Sequence, residues 1–72
     1  MPRFYFDLDS AEPDDLGVDL SDEQTARREA LSGLAAIMAD KVAGRPFSLR
    51  MTVRGPDQRT LFSIRGLLEF DS

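Results

Sequence analysis

The stretch from Ser21 to Gly44 constrains this chain more than any other, because it reads as one amphipathic helix. It opens Ser21-Asp22-Glu23-Gln24, which has capping-box form. The Ser21 hydroxyl is placed to accept from the Gln24 backbone N–H, and the Gln24 side chain to reach back to the Ser21 N–H. Asp22 and Glu23 fall where the positive end of the helix dipole favours carboxylates. Glu23 and Arg27 are spaced i,i+4 in the favourable orientation. At the far end Gly44 suits a left-handed cap, and Pro46 stops the helix. Ala26, Ala30, Leu31, Leu34, Ile37, Met38 and Val42 share one broad face. Arg27 and Lys41 lie on that face near its ends, where their methylenes cover apolar surface. Gly33 costs the helix about 1 kcal/mol relative to alanine unless something packs closely there.

Alternation marks the other elements. Phe4, Phe6 and Leu8 alternate with Arg3, Tyr5 and Asp7, which predicts a strand with one buried face. Asp9 to Asp15 is polar, acidic and broken by Pro13, hence a loop. Leu16, Val18 and Leu20 alternate around Gly17 and Asp19, which predicts a short strand folding back on the first. Phe47, Leu49, Met51 and Val53 alternate with Ser48, Arg50, Thr52 and Arg54. Gly55-Pro56-Asp57-Gln58 has turn chemistry. Arg59 to Arg65 forms a fourth strand, with Thr60, Phe62 and Ile64 on one face and Leu61, Ser63 and Arg65 on the other. Leu67, Leu68 and Phe70 are too apolar for a free tail, and either continue the sheet edge or tuck under the helix.

These elements give β-β-α-β-β in a single domain, 1–72. A helix of about 33 Å at ~1.5 Å per residue crosses a sheet once. It therefore delivers the third strand parallel to the second, leaving room for the first between them. The expectation is an α+β fold in two layers: a four-stranded antiparallel sheet of order 2-1-3-4 with the helix on one face. The other face then carries Arg3, Tyr5, Asp7, Arg50, Thr52, Arg54, Ser63 and Arg65.

Composition narrows the function. The chain has 72 residues, no cysteine and no histidine. A core this small rarely contributes more than about 3–5 kcal/mol, and with no disulfide available oligomerisation is the common remaining support. No serine has an evident base, so the nucleophile-and-base constellation of an enzyme is missing and catalysis is not expected. No cofactor is implied. A net charge of −4 disfavours binding to phosphate backbones and anionic membranes. No stretch is apolar enough to span a bilayer or act as an export signal, which makes the cytoplasm the default. The charge is uneven: from Asp7 to Glu23 there are eight acids and no base, and from Arg45 to Arg65 five arginines and one acid.

The chain resembles a family of short bacterial proteins catalogued as a domain of unknown function, of the 6894 type. The residues that carry the resemblance are Met1-Pro2-Arg3-Phe4-Tyr5-Phe6, Gly17-Val18-Asp19-Leu20 and Ala26-Arg27-Arg28-Glu29-Ala30. It departs from the family at Asp7, where members tend to have histidine, and at Ser10-Ala11, where they tend to have an Asp-Gly turn. The resemblance implies a fold and no site.

Three sites were weighed on chemistry. The acidic run Asp7, Asp9, Glu12, Asp14, Asp15 invites a calcium reading, but counted from Asp7 the sixth position is Glu12 and the twelfth Val18, so the helix-loop-helix calcium pattern fails and no metal is assigned. A solvated acidic loop is the expectation. Tyr5 with Arg3, Arg50, Arg54 and Arg65 could stack a base among phosphate contacts, yet strand arginines commonly pair across strands, and Arg50 or Arg65 is placed to meet Asp7 or Asp19. Ser32, Ala36, Ala39 and Ala43 recur on the outer helix face, where small residues let two helices approach. Alanine is also simply the best helix former. The reading favoured is a non-enzymatic interaction or accessory protein acting through protein–protein contacts as a homodimer. The alternative is a regulatory nucleic-acid-binding or antitoxin-like protein using the open sheet face, the antitoxin part resting on fold analogy.

Overall fold

The alternating aromatics at the start of the chain do form a strand, and it is central. In the computed structural model the elements run β1 (Arg3–Leu8), β2 (Val18–Asp19), α1 (Glu23–Lys41), β3 (Phe47–Arg54) and β4 (Thr60–Leu68). The structure describes residues 1–9, 11–41, 47–69 and 71. The strands make one sheet of order β2-β1-β3-β4, antiparallel throughout. The α+β architecture expected from the alternation is the one observed. The expected helix stop at Gly44 and Pro46, the core position Val42, and Ser10 and Phe70 lie outside the described residues.

The helix begins one residue later than the capping box suggests. Asp22, not Ser21, is the N-cap: its Oδ1 accepts from the Thr25 N–H at 2.8 Å. A carboxylate at the positive helix end is the stronger acceptor. Ser21 Oγ instead shares a hydrogen bond of 3.0 Å with Thr25 Oγ1. Glu23 and Arg27 pair at 3.3 Å as their spacing implies. The Arg27 guanidinium also sits 4.5 Å from the centre of the Phe62 ring, so its stem covers the core edge.

Phe4, Ala26, Ala30, Leu34, Met38, Leu49, Met51 and Val53 are buried between helix and sheet. Phe6, Leu8, Leu20, Ile37, Phe62 and Ile64 pack around them. Leu31 corrects the helical-wheel reading, because it is 65% exposed. The buried line runs Ala26, Ala30, Leu34, Met38 at i,i+4 intervals, and Leu31 falls on the flank of that line. Gly33 is half-buried, but a Cβ there would lie 3.9 Å from Met51 Cε, an ordinary contact. No close packing demands glycine at that position. Gly66 differs, since a Cβ there would overlap Met38 Sδ.

The second strand is shorter than the Leu16, Val18, Leu20 alternation suggests. Only Val18 and Asp19 pair with β1, and Leu16 is 77% exposed. The Asp14 side chain takes the N–H groups of Leu16 and Gly17 at 3.1 and 3.2 Å, so a side-chain turn replaces the first part of the ladder. Gly17 has φ of +72°, and a Cβ there would come 2.7 Å from Arg3 Cγ. Residues 66–68 continue β4 along β3 as far as the Phe47–Leu68 pair, which decides between the two placements considered for them. The β3–β4 turn closes with Gln58 N–H on Gly55 O at 3.0 Å and Gly55 N–H on Arg59 O at 2.9 Å. Gln58 takes the left-handed residue of this three-residue loop, φ 71°. The register slips between Val53 and Arg54, where Leu61 is the extra residue of β4. Leu61 rests against Gly55, and Thr60, expected on the packed face, is exposed.

Candidate functional site

Two surfaces compete for a functional reading, and the strands and helix build them differently. The first is the open sheet face. Arg54 Nε donates to Asp7 Oδ2 at 2.7 Å and Arg54 Nη2 to Asp7 Oδ1 at 3.1 Å, a forked pair. Arg54 Nη2 also donates to the Asp14 carbonyl at 2.6 Å, and Nη1 bonds Gln58 Oε1. Asp7 Oδ1 accepts the Asp14 N–H at 2.9 Å. Asp14 Oδ2 in turn accepts the Phe6 N–H at 3.1 Å. A polar knot thus ties the acidic loop to the centre of the sheet.

The knot sets the charges of its members. Hydrogen bonds from Arg54 hold the Asp7 carboxyl below the usual carboxylate range, against a smaller upward push from burial. Burial pushes the Asp14 carboxyl up, but the N–H groups of Gly17, Phe6 and Leu16 together outweigh it and hold the group low. Hydrogen bonding to Asp7 raises Arg54 further above its already high value. Nearby, Arg3 Nε donates to Asp19 Oδ1 at 2.8 Å, and Nη2 to Oδ2 at 3.2 Å. That bond lowers the Asp19 carboxyl and raises Arg3.

The expected pairing of Arg50 or Arg65 with Asp7 or Asp19 is therefore corrected: Arg54 takes Asp7 and Arg3 takes Asp19. Register puts Arg3 opposite Asp19 and Tyr5 opposite Arg54; Asp7 lies opposite Thr52, diagonal to both Arg50 and Arg54, and the Asp14 carbonyl and Gln58 hold Arg54 on its side. Tyr5 has the Arg54 guanidinium 4.9 Å from its ring centre, and its Cε2 lies 2.9 Å from where a Cβ on Gly17 would sit. Of the five sheet-face residues singled out in the sequence, Arg3, Tyr5 and Arg54 are thus engaged within the fold. Arg50 and Arg65 face one another away from the knot.

The acidic loop has internal work. Asp7 and Asp14 serve as acceptors for N–H groups and Arg54, and among the described residues no group of three or more metal-ligating side chains converges. Sequence reasoning missed Asp14 as the organiser. The available clue was Asp14 three residues before Gly17, the spacing of an Asx turn closing on glycine.

The second surface is the flank where α1 meets β4. Ser32, Ala36 and Ala39 are exposed on the helix, as the wheel places them, while Ala43 lies outside the described residues. The structure shifts attention to their neighbours. Ala35, Met38, Ala39, Gly66, Leu67 and Leu68 line an apolar groove of about 350 Å³. Leu67, 59% exposed, and Leu68, 39% exposed, stand along it. β4 ends the sheet on this side, so its outer backbone edge is unpaired by any described strand. A smaller apolar cleft of about 180 Å³ lies under the other flank, between Phe6, Val18, Leu20, Glu29, Gly33 and Met51.

A family model described as a domain of unknown function, DUF6894, matches residues 3–67. No curated protein and no solved structure matches the chain. Among the described residues, no helix is long and apolar enough to cross a membrane.

Proposed function

We propose, from the premise that the chain belongs to the DUF6894 family of domains of unknown function, that it is a cytoplasmic, non-enzymatic interaction module. It works as a homodimer joined through the α1–β4 flank. The observation that carries this reading is the concentration of exposed leucine at one sheet edge. Leu67 and Leu68 line a groove with Ala35, Ala39 and Gly66, exposed Leu31 lies one helical turn before Ala35, and the edge strand beside the groove has nine residues. Long apolar edges are docking templates unless they are shortened, charged or covered.

A second copy is the occupant that fits, because a two-fold axis places the same apolar flank on both sides. The nucleic-acid reading has less behind it, since Arg3, Tyr5 and Arg54 are held by Asp19, Gly17, Asp7 and Asp14.

Light scattering and sedimentation across a dilution series test the proposal. A dimer that dissociates on dilution, and a Leu67→Glu variant that stays monomeric while keeping its helical circular dichroism, are expected. A wild-type chain that remains strictly monomeric at high concentration rules the proposal out.

A further inference from the structure

β3 and β4 pair so that Arg50 lies directly opposite Arg65 on the open face. Both are exposed, and among the described residues neither has a carboxylate within ion-pairing distance. Like charges directly opposite on an antiparallel pair are destabilising. Carboxylates are in surplus in this chain, thirteen acids to nine bases. Arg3, Arg27, Arg54 and Arg59 each hold one. Among the described residues, the adjacent Arg50 and Arg65 hold none, and Arg28 on the helix holds none either.

Arg50 and Arg65 border a recess of about 280 Å³ that Asp9, Ser48 and Leu49 also line. The Asp9 N–H donates to the Arg50 carbonyl at 3.1 Å, which anchors the start of the acidic loop at the recess rim. A guanidinium offers five N–H donors in a planar fork that matches the oxygens of phosphate and carboxylate groups. Both arginines and Ser48 border this one recess. An anion between the arginines would replace repulsion with two charge-assisted contacts.

We propose that Arg50, Arg65 and Ser48 form a binding site for a small oxyanion of the phosphate or phosphomonoester class. A long polyanion is a poorer ligand, because the net charge of −4 repels it as a whole and Asp9 guards one side of the recess. The site lies on the open sheet face, adjoins the α1–β4 flank at Leu67, which pairs with Ser48, and does not depend on self-association.

Titration with inorganic phosphate, followed by amide and arginine side-chain NMR, tests it. Saturable shifts are expected at Ser48, Arg50 and Arg65, with chloride at matched ionic strength producing none. Arg50→Gln and Arg65→Gln should each weaken binding at least about tenfold, since each removes a charge-assisted fork. Asp9→Asn should tighten it by roughly two- to fivefold by removing a nearby like charge. Leu68→Glu, on the helix-facing side of β4 with Gly66, should leave it unchanged, which separates this site from the dimer. Shifts that chloride reproduces, no saturation, or unaltered affinity in both arginine variants would overturn the site. A single-stranded oligonucleotide that binds more tightly than phosphate would overturn the small-ligand assignment.

Discussion

The two edges of the sheet are protected in opposite ways. On the β2 side the edge strand has two residues, and directional polar bonds hold the chain beyond it: Arg3 to Asp19, Asp14 to Phe6, Leu16 and Gly17, and Arg54 to Asp7. On the β4 side the edge strand has nine residues, with exposed Leu61, Leu67 and Leu68 along it and Arg65 as its single charge. Short, charged edges discourage pairing and long apolar ones invite it. One edge is closed by the chain's own side chains, and the other is the one that the proposed dimer would cover. Within one small domain, polar groups fix the internal order while exposed leucines are left at the far edge.

The largest expected effect comes from breaking the polar edge. Asp14→Ala leaves three N–H groups without their acceptor and should lower unfolding stability by about 3 kcal/mol, read by urea denaturation. Arg54→Ala leaves Asp7, with its side chain 21% exposed, short of its partner, for a loss of about 2 kcal/mol. Equal tolerance of both changes would mean that the knot is decorative and the contrast between edges false.

The apolar edge comes next. Leu67→Glu should weaken self-association by about 2 kcal/mol, roughly thirtyfold in Kd, because it loses a buried leucine and adds a charge. Stability of the dilute monomer should change little, since Leu67 is exposed there.

Acid should act on the polar edge first. The carboxyls of Asp7 and Asp14 are both held low in the folded chain. Groups with depressed folded values contribute stability that is present above their unfolded value, about 3.9, and lost as pH falls through the folded one. Thermal melts should therefore be nearly flat above about pH 5 and decline below about pH 4, and Asp7→Asn should flatten that decline.

The smallest change has the opposite sign. Gly33→Ala meets only Met51 Cε at an ordinary distance and should stabilise by about 0.5–1 kcal/mol. It lines the cleft under the β2 flank, so it should leave the dissociation constant of the dimer unaltered. A shift in that constant would place the contact on the wrong side of the molecule.

Much of this was legible from local periodicity. The alternation in Arg3–Leu8 and Phe47–Arg54 gave both strands with their bounds, and the helical spacing of Ala26, Ala30, Leu34 and Met38 gave the buried line. Helix length then fixed the order of the strands. These properties repeat within a few residues, so a single sequence contains them. Other features required the fold. Leu31 sits on the wheel beside buried residues and is exposed, because only the width of the sheet beneath it decides what is covered. Arg54 rather than Arg50 meets Asp7, across 47 positions of chain, because the register leaves both as diagonal neighbours of Asp7 and the Asp14 carbonyl and Gln58 hold Arg54 there. The sequence by itself determined the elements and which face of each is apolar, since those follow from backbone periods. Tertiary structure alone decided which charges pair and which leucines stay in water, since both depend on distances between segments remote along the chain.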